Sequence, residues 1–377
     1  MNEDNGTATP PPSPRPAPTP ALSRRALLGL AATVGVGAAN VGAFAYAADL
    51  LPEDRLTPAR FVDRFERVAG KHTGFRRNHA KGVSVSGHFV ARGGREVSKA
   101  AVFEPGRTTP VTGRFSVSGG APDVADANPL VRGLGLLFDL PNGEQWRTAM
   151  INTPVFLDST PQGFYDRILA AKPLPATGKP DPRRMADFLA AHPETAAAMA
   201  YNKKHPPTSG FDDSTFYGLN AFRFTNAAGT TVPVRWSLTP LQPTGPGNTG
   251  EGNDADKAPS KNHLFDTLIA KLAEGPLRWR LMLTVGHSGD PTHDATRPWP
   301  ADRRKIDAGT LTLDAVHTEA EGNGRDVNFD PLVLPDGIAG SDDPLLSARS
   351  AVYSQSYKRR AGESKQPSPV DVSKVLQ

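Results

Sequence analysis

Between Val83 and Phe89 the chain alternates strictly, with Val83, Val85, Gly87 and Phe89 interleaved by Ser84, Ser86 and His88. A period of two is the signature of a half-buried β-strand and cannot form the single apolar stripe a helix needs. Leu134 to Leu140 and Val232 to Leu238 read as further strands. Phe222-Arg-Phe-Thr, followed by Asn-Ala-Ala-Gly and Val232, reads as a hairpin. Helix signals stand between them. Thr57 as N-cap and Pro58 at the first position open a helix to Val68, and Arg183 to Ala191 and Leu264 to Ala273 supply two more. Strands and helices interspersed in this irregular way specify an α+β fold. Residues 48–361 are long enough for one large domain or two smaller ones, and we read them as one.

The ends differ from this body. Met1 to Leu22 is rich in Pro, Ala and Thr and carries too little apolar surface to fold. Ser23-Arg24-Arg25 then precedes an uncharged stretch from Ala26 to Ala47 that closes on Ala45-Tyr46-Ala47. Residues 1–47 therefore read as a disordered proline-rich region plus a twin-arginine export signal. The expected location is periplasmic or extracellular, with a partner in the export machinery and a membrane tether if the signal stays uncleaved. No second stretch is long and apolar enough to suggest a span. Residues 241–261, rich in Gly, Pro, Asn and Asp from Pro243 to Lys261, read as a mobile surface loop. Residues 362–377 read as a polar tail that frays.

Composition removes several chemistries. There is no cysteine in the sequence, which excludes disulfides, thiol catalysis, thiolate-ligated zinc or haem, and iron–sulfur clusters. The net charge of +4 is mild and its arginines are scattered, so no nucleic-acid partner is expected.

Chemistry concentrates first in Arg349-Ser-Ala-Val-Tyr353. A phenolate can ligate ferric iron, but its unperturbed pKa of about 10 makes it a poor anion. An arginine one helical turn away would favour the ionised form. Taken alone, the pair equally describes an aromatic on the buried face of an amphipathic helix. Upstream stand Arg76-Arg77-Asn78-His79-Ala80-Lys81-Gly82, Arg114-Phe115-Ser116 and Asn152-Thr153-Pro154-Val155-Phe156, and later Phe329-Asp-Pro-Leu-Val-Leu-Pro-Asp-Gly-Ile338. In this order, over roughly Leu56 to Ala361, they resemble the haem catalases, and most of all the small catalase-related peroxidases that keep only the haem-binding core.

The resemblance implies an antiparallel eight-stranded β-barrel with flanking helices, and haem as cofactor. Haem b is expected, because covalent attachment through Cys-x-x-Cys-His is impossible here. It implies Tyr353 as iron ligand with Arg349 holding it ionised. His79 becomes the distal base and acid, with Ser116 fixing its tautomer. Arg76, Arg114 and Arg360 become the propionate ligands, Phe156 and Phe164 the distal lining, and Val117 a neighbour of the substrate channel. His72, His88, His287 and His317 receive no role. Two departures stand out. Ile151 occupies the place of the distal asparagine, with Asn152 beside it, and Tyr357 stands where catalases usually have a histidine. Loss of the amide should handicap a second peroxide more than the first. The expectation is therefore a peroxidase using hydrogen peroxide or an organic hydroperoxide with a small organic reductant, and weak in catalase activity. Alternatives are a lipid-hydroperoxide isomerase or hydrolase on the same scaffold, or a non-enzymatic haem carrier.

Overall fold

The structure is a computed structural model that describes residues 56–126, 131–242 and 260–376. The expected export signal lies outside these residues, as does the expected loop at 241–261 except for its first two and last two positions.

The first helix, α1 (Pro58–Ala69), starts as expected, with Thr57 Oγ1 accepting from the Arg60 amide at 3.2 Å. Then come β1 (Gly82–Ala91), β2 (Thr108–Val117), β3 (Arg132–Asp139) and β4 (Gln145–Ile151). Three helices follow, α2 (Pro161–Ala170), α3 (Pro182–Ala191) and α4 (Pro193–Lys203). The short strands β5 (Phe216–Tyr217) and β6 (Phe222–Thr225) lead into β7 (Thr231–Pro240). Next are α5 (His263–Glu274), β8 (Leu277–Val285), β9 (Lys305–His317) and β10 (Ile338–Gly340). The chain ends in α6 (Pro344–Ala361) and the single turn α7 (Val372–Val375).

All strand pairings among these elements are antiparallel. Strands β5, β4, β3, β2, β1, β9 and β8 follow one another edge to edge, and β7 pairs with both β5 and β8. The sheet therefore closes into a barrel of eight strands, which removes its free edges. The β6–β10 pair is a spur on the other end of β7. Aromatic rings fill the inside. Phe138 stacks on Trp146 at 4.8 Å and Trp146 meets Trp236 edge-on at 5.1 Å. Such pairs each contribute about 0.5–1.5 kcal/mol beyond the area they bury.

Strand β1 departs from the half-buried pattern that its alternation suggests. Val83, Val85 and Phe89 face the core, but Ser84 is buried as well, because its Oγ accepts from the Gly324 amide at 2.8 Å. A segment returning after β9 covers that face. Gly87 sits at the bulge between β1 and β9, where a Cβ would collide with the Thr312 carbonyl oxygen.

The segment after Gly362 does not fray as expected. Glu363 pairs with Arg77 and accepts from the Gly74 amide at 2.8 Å. Val370 and Val372 enter the apolar core, and α7 is capped by Asp371. These two valines, with the Glu363 contacts, dock a segment that is otherwise polar.

Candidate active site

The chain reaches the site from three directions. The loop after α1 brings Arg76 to His79, the ends of β2 to β4 form a wall, and α6 lies opposite with its line of side chains. Each is tied down locally. Lys81 is fully buried just after His79, donating to Asp126 at 2.6 Å, the Val124 carbonyl at 2.8 Å and the Lys261 carbonyl at 3.0 Å. Helix α6 begins at the buried cap Asp343, which accepts from the Leu345 amide at 2.9 Å and from Asn220 at 2.7 Å. Pro344 fits the first helical position, and Lys358, Arg359 and Arg360 in the last turn complement the helix dipole.

Between these elements lies a cavity with about 1220 Å³ of atom-free space, counting its open mouth. Its strand wall is nearly bare. Gly133 and Gly135 alternate on β3, opposite Ile151 and Ala149 of β4, and all four line the cavity. A Cβ on Gly133 would stand 2.8 Å from Ser116 Oγ and 3.0 Å from His79 Nδ1, and one on Gly135 would stand 2.7 Å from the Phe329 ring. The wall is flat because nothing larger fits. Phe61, Phe65, Phe156 and Phe164 form an aromatic cluster at another side, with Phe156 edge-on to Phe164 at 5.3 Å.

His79 holds a left-handed backbone, φ 56°, a conformation that costs a β-carbon residue of order 1–3 kcal/mol. Its surroundings over-determine that geometry. Asn78 Oδ1 accepts from its amide at 3.0 Å, and Arg114 Nη1 donates to its carbonyl at 2.8 Å. Its Nδ1 lies 3.1 Å from Ser116 Oγ. Nε2 has no hydrogen-bond partner among the described residues. Burial, and after it the positive charges of Arg114, Arg76 and Arg349, push the imidazole pKa down to about 3.

Three arginines crowd the same cavity. Arg76 donates to the carbonyls of Arg325 at 3.0 Å, Gly324 at 3.2 Å and Val327 at 2.6 Å. Arg360 reaches the first and last of these too, at 2.6 Å and 3.2 Å. Arg114 instead pairs with Glu319 through Nε and Nη2, while also holding the His79 and Ala80 carbonyls. The sequence reading did not single out Glu319, and no local signal marks it. Glu319 is the carboxylate buried among these guanidinium groups and the part-buried Asp326 acts on Arg360, yet the arginines still outnumber the carboxylates. Burial, then Arg114 and Arg360, hold the Arg76 pKa well below its usual value, and burial, then Arg114, brings Arg360 down to about 10.

Tyr353 and Arg349 both line the cavity. Arg349 donates to Asn220 Oδ1 and to the Ala149 carbonyl at 2.9 Å, and its guanidinium carbon stands 5.9 Å from the Tyr353 ring centre. It lies over the ring, and no hydrogen bond among the described residues joins it to the phenol oxygen. Ile151 faces the cavity. Asn152 does not, since its Oδ1 accepts from the Arg132 amide at 3.0 Å. Val117 also points elsewhere, into the barrel core. His79, Ser116, Arg76, Arg114, Arg349, Tyr353, Arg360, Phe156 and Phe164 are all brought to one cavity.

Comparison with known proteins agrees with this arrangement. The family model described as Catalase matches residues 55–376. A Synechococcus elongatus protein named catalase-related peroxidase is 38% identical over 308 residues, covering 81% of this chain and 89% of its own length. A Mycolicibacterium paratuberculosis protein of the same name is 33% identical, covering 81% and 96%. Among solved structures, catalase A from Saccharomyces cerevisiae superimposes with a TM-score of 0.68 at 20% identity, over 80% of this chain and 63% of that one. A bacterial catalase gives 0.65 at 24% identity, over 80% and 60%. The chain thus spans about three-fifths of the length of these full catalases. On the extent of the family match and on its relatives, the chain belongs to the catalase family.

Proposed function

We propose that this protein is a haem-dependent peroxidase that reduces hydrogen peroxide or organic hydroperoxides with a small organic electron donor and releases little oxygen. Its family and its relatives' names make it an oxidoreductase that acts on peroxide. The reductant and the low oxygen yield are the proposed part. The residues fit haem. The Gly133–Gly135 wall offers a flat face, and the charge deficit around Arg76 and Arg360 suits propionate carboxylates. Tyr353 would hold the iron, and without cysteine the attachment is non-covalent, as for haem b. When bound, haem supplies an iron and a conjugated ring that can store oxidising equivalents.

The observation that carries the reading is His79, kept neutral inside the same cavity as Tyr353. With Nδ1–H donating to Ser116 Oγ, Nε2 is left as an acceptor. It can take the proton from one peroxide oxygen and return it to the other as the O–O bond breaks. Ser116 holds the tautomer, and Asn78 and Arg114 hold the ring in place through the backbone. Ile151 offers a peroxide no hydrogen bond, which supports weak handling of a second molecule. The test is absorbance-monitored mixing of haem-loaded wild type and His79→Ala with peroxide and a donor. We expect donor oxidation with little oxygen in the wild type and a loss of about 10²–10⁴-fold in the variant. Unchanged turnover would leave a haem carrier with incidental activity.

The aromatic cluster, in the same cavity as Ile151, favours a second reading, an isomerase of apolar hydroperoxides. Product analysis without reductant decides it, since an isomerase needs none. We also propose export by the twin-arginine route. Arg24→Lys with Arg25→Lys should retain the protein in the cytoplasm on fractionation.

A further inference from the structure

One cavity-lining side chain has no part in the proton chemistry and yet reaches solvent. Tyr357 follows Tyr353 by four residues on α6, so the two share a helix face, and both line the cavity. Tyr357 is 37% exposed. The guanidinium carbon of buried Arg360 stands 4.9 Å from its ring centre. Few groups on this wall could yield an electron to a strong oxidant. Among the described lining residues these are Tyr353, Tyr357 and the buried Met150, with no tryptophan, and the sequence has no cysteine.

We propose that Tyr357 is a surface relay through which the peroxidase draws electrons from phenolic or arylamine donors too bulky to enter the cavity. The proposal rests on the haem-peroxidase reading above. In one relay step an electron leaves the Tyr357 phenol for the centre oxidised by peroxide, and the phenolic proton passes to water. A donor phenol at the mouth then gives an electron and a proton to the tyrosyl oxygen, leaving a donor radical. A pair of such steps, with the matching protons, completes reduction of a hydroperoxide to an alcohol and water.

The surroundings of Tyr357 suit this. The positive charge of Arg360 disfavours a cationic ring, so the electron must leave together with the proton. An exposed phenol can release that proton to solvent. A buried phenol would need a basic partner. Its own exposure leaves the ring within reach of a flat donor in solvent.

The bland role for Tyr357 is to cover Arg360 with an aromatic face, and Tyr357→Phe keeps that face while removing the O–H. The experiment is freeze-quench electron paramagnetic resonance of haem-loaded protein mixed with hydrogen peroxide and no donor. Alongside it, kcat/KM is measured for one bulky and one small phenol. We expect a tyrosyl signal in the wild type that Tyr357→Phe loses. The bulky-to-small ratio should fall by about tenfold in that variant, and Tyr357→Trp should restore it with an indole radical. Identical signals and ratios in wild type and Tyr357→Phe, with peroxide still consumed, would overturn the relay and leave the peroxidase standing. Failure of haem-loaded wild type to consume peroxide would overturn both.

Discussion

Glu319 is the group whose removal tests the charge balance of the site most directly. Its carboxylate takes hydrogen bonds from Arg114 Nε and, at 3.2 Å, Nη2, and both side chains are almost wholly buried. Glu319→Gln keeps the shape and one acceptor oxygen but removes the carboxylate that pairs with Arg114 and whose charge also acts on Arg76 and Arg360. Breaking a buried ion pair at one partner costs about 3–5 kcal/mol, and the retained acceptor argues for the lower end. The assay is urea unfolding of the haem-free protein, followed by the fluorescence of its buried tryptophans. The pH dependence adds a check. Burial alone would raise the Glu319 pKa, but the charge and hydrogen bonds of Arg114, with Arg76 and Arg325, outweigh it and hold the group below its usual value. A depressed carboxyl stabilises the fold above its unfolded pKa of about 4.3 and loses that contribution as pH falls through the folded value. The gap between wild type and variant should therefore be full at neutral pH and close in acid. A cost below about 1 kcal/mol at neutral pH, the range of exposed pairs, would refute the reasoning.

Three other outcomes are expected. Gly133→Ala places a methyl 2.8 Å from Ser116 Oγ and 3.0 Å from His79 Nδ1; overpacking should destabilise by about 1–3 kcal/mol, and slow peroxide consumption should accompany the lowered melting temperature. Normal turnover would show that His79 does not depend on its contact with Ser116. Ile151→Asn restores an amide to the cavity wall and should raise oxygen release relative to donor oxidation by about tenfold, read with an oxygen electrode, whereas an unchanged ratio would remove Ile151 from the argument. Because burial and the neighbouring arginines hold the His79 pKa below its ordinary value, peroxide consumption should show no loss centred on the ordinary histidine value of about 6.5. A pH–rate profile with its acid limb there would contradict the placement of His79 among the arginines.

The fold was legible where local signals were clean. Thr57-Pro58 marked α1 within a residue, and the expected helices at Arg183–Ala191 and Leu264–Ala273 match α3 and α5 almost end to end. Strand β9 passed unnoticed because Gly309 lies at its irregular pairing with β8, which interrupts the period of two. Barrel closure through β7 and β8 is a contact between edges, which no local pattern encodes. The site divides in the same way. His79, Ser116, Arg76, Arg114, Arg360 and Tyr353 lie in motifs and could be named from sequence. Glu319 sits in His317-Thr-Glu-Ala-Glu321, which carries no motif, and its partner Arg114 lies on β2, far away in sequence. The role of Arg349 was read as charge alone, but its hydrogen bonds to Asn220 and the Ala149 carbonyl tie α6 to the strand wall.

These charges make the acid behaviour of His79 and the binding of an anionic cofactor parts of one equilibrium. Burial is the largest cause of the depressed His79 pKa, and Arg114 and Arg76 follow. Carboxylates that bind beside those arginines would offset their charge and so lift the imidazole part of the way back. The acid limb of the loaded enzyme should then lie between about 3 and the ordinary histidine value. By reciprocity, protonating His79 must strengthen anion binding by the same factor. Acid that protonates His79 would then remove the catalytic base while leaving the anionic cofactor held. If the His79 pKa is instead the same in the haem-free and haem-loaded protein, the arginines are not the link between the two.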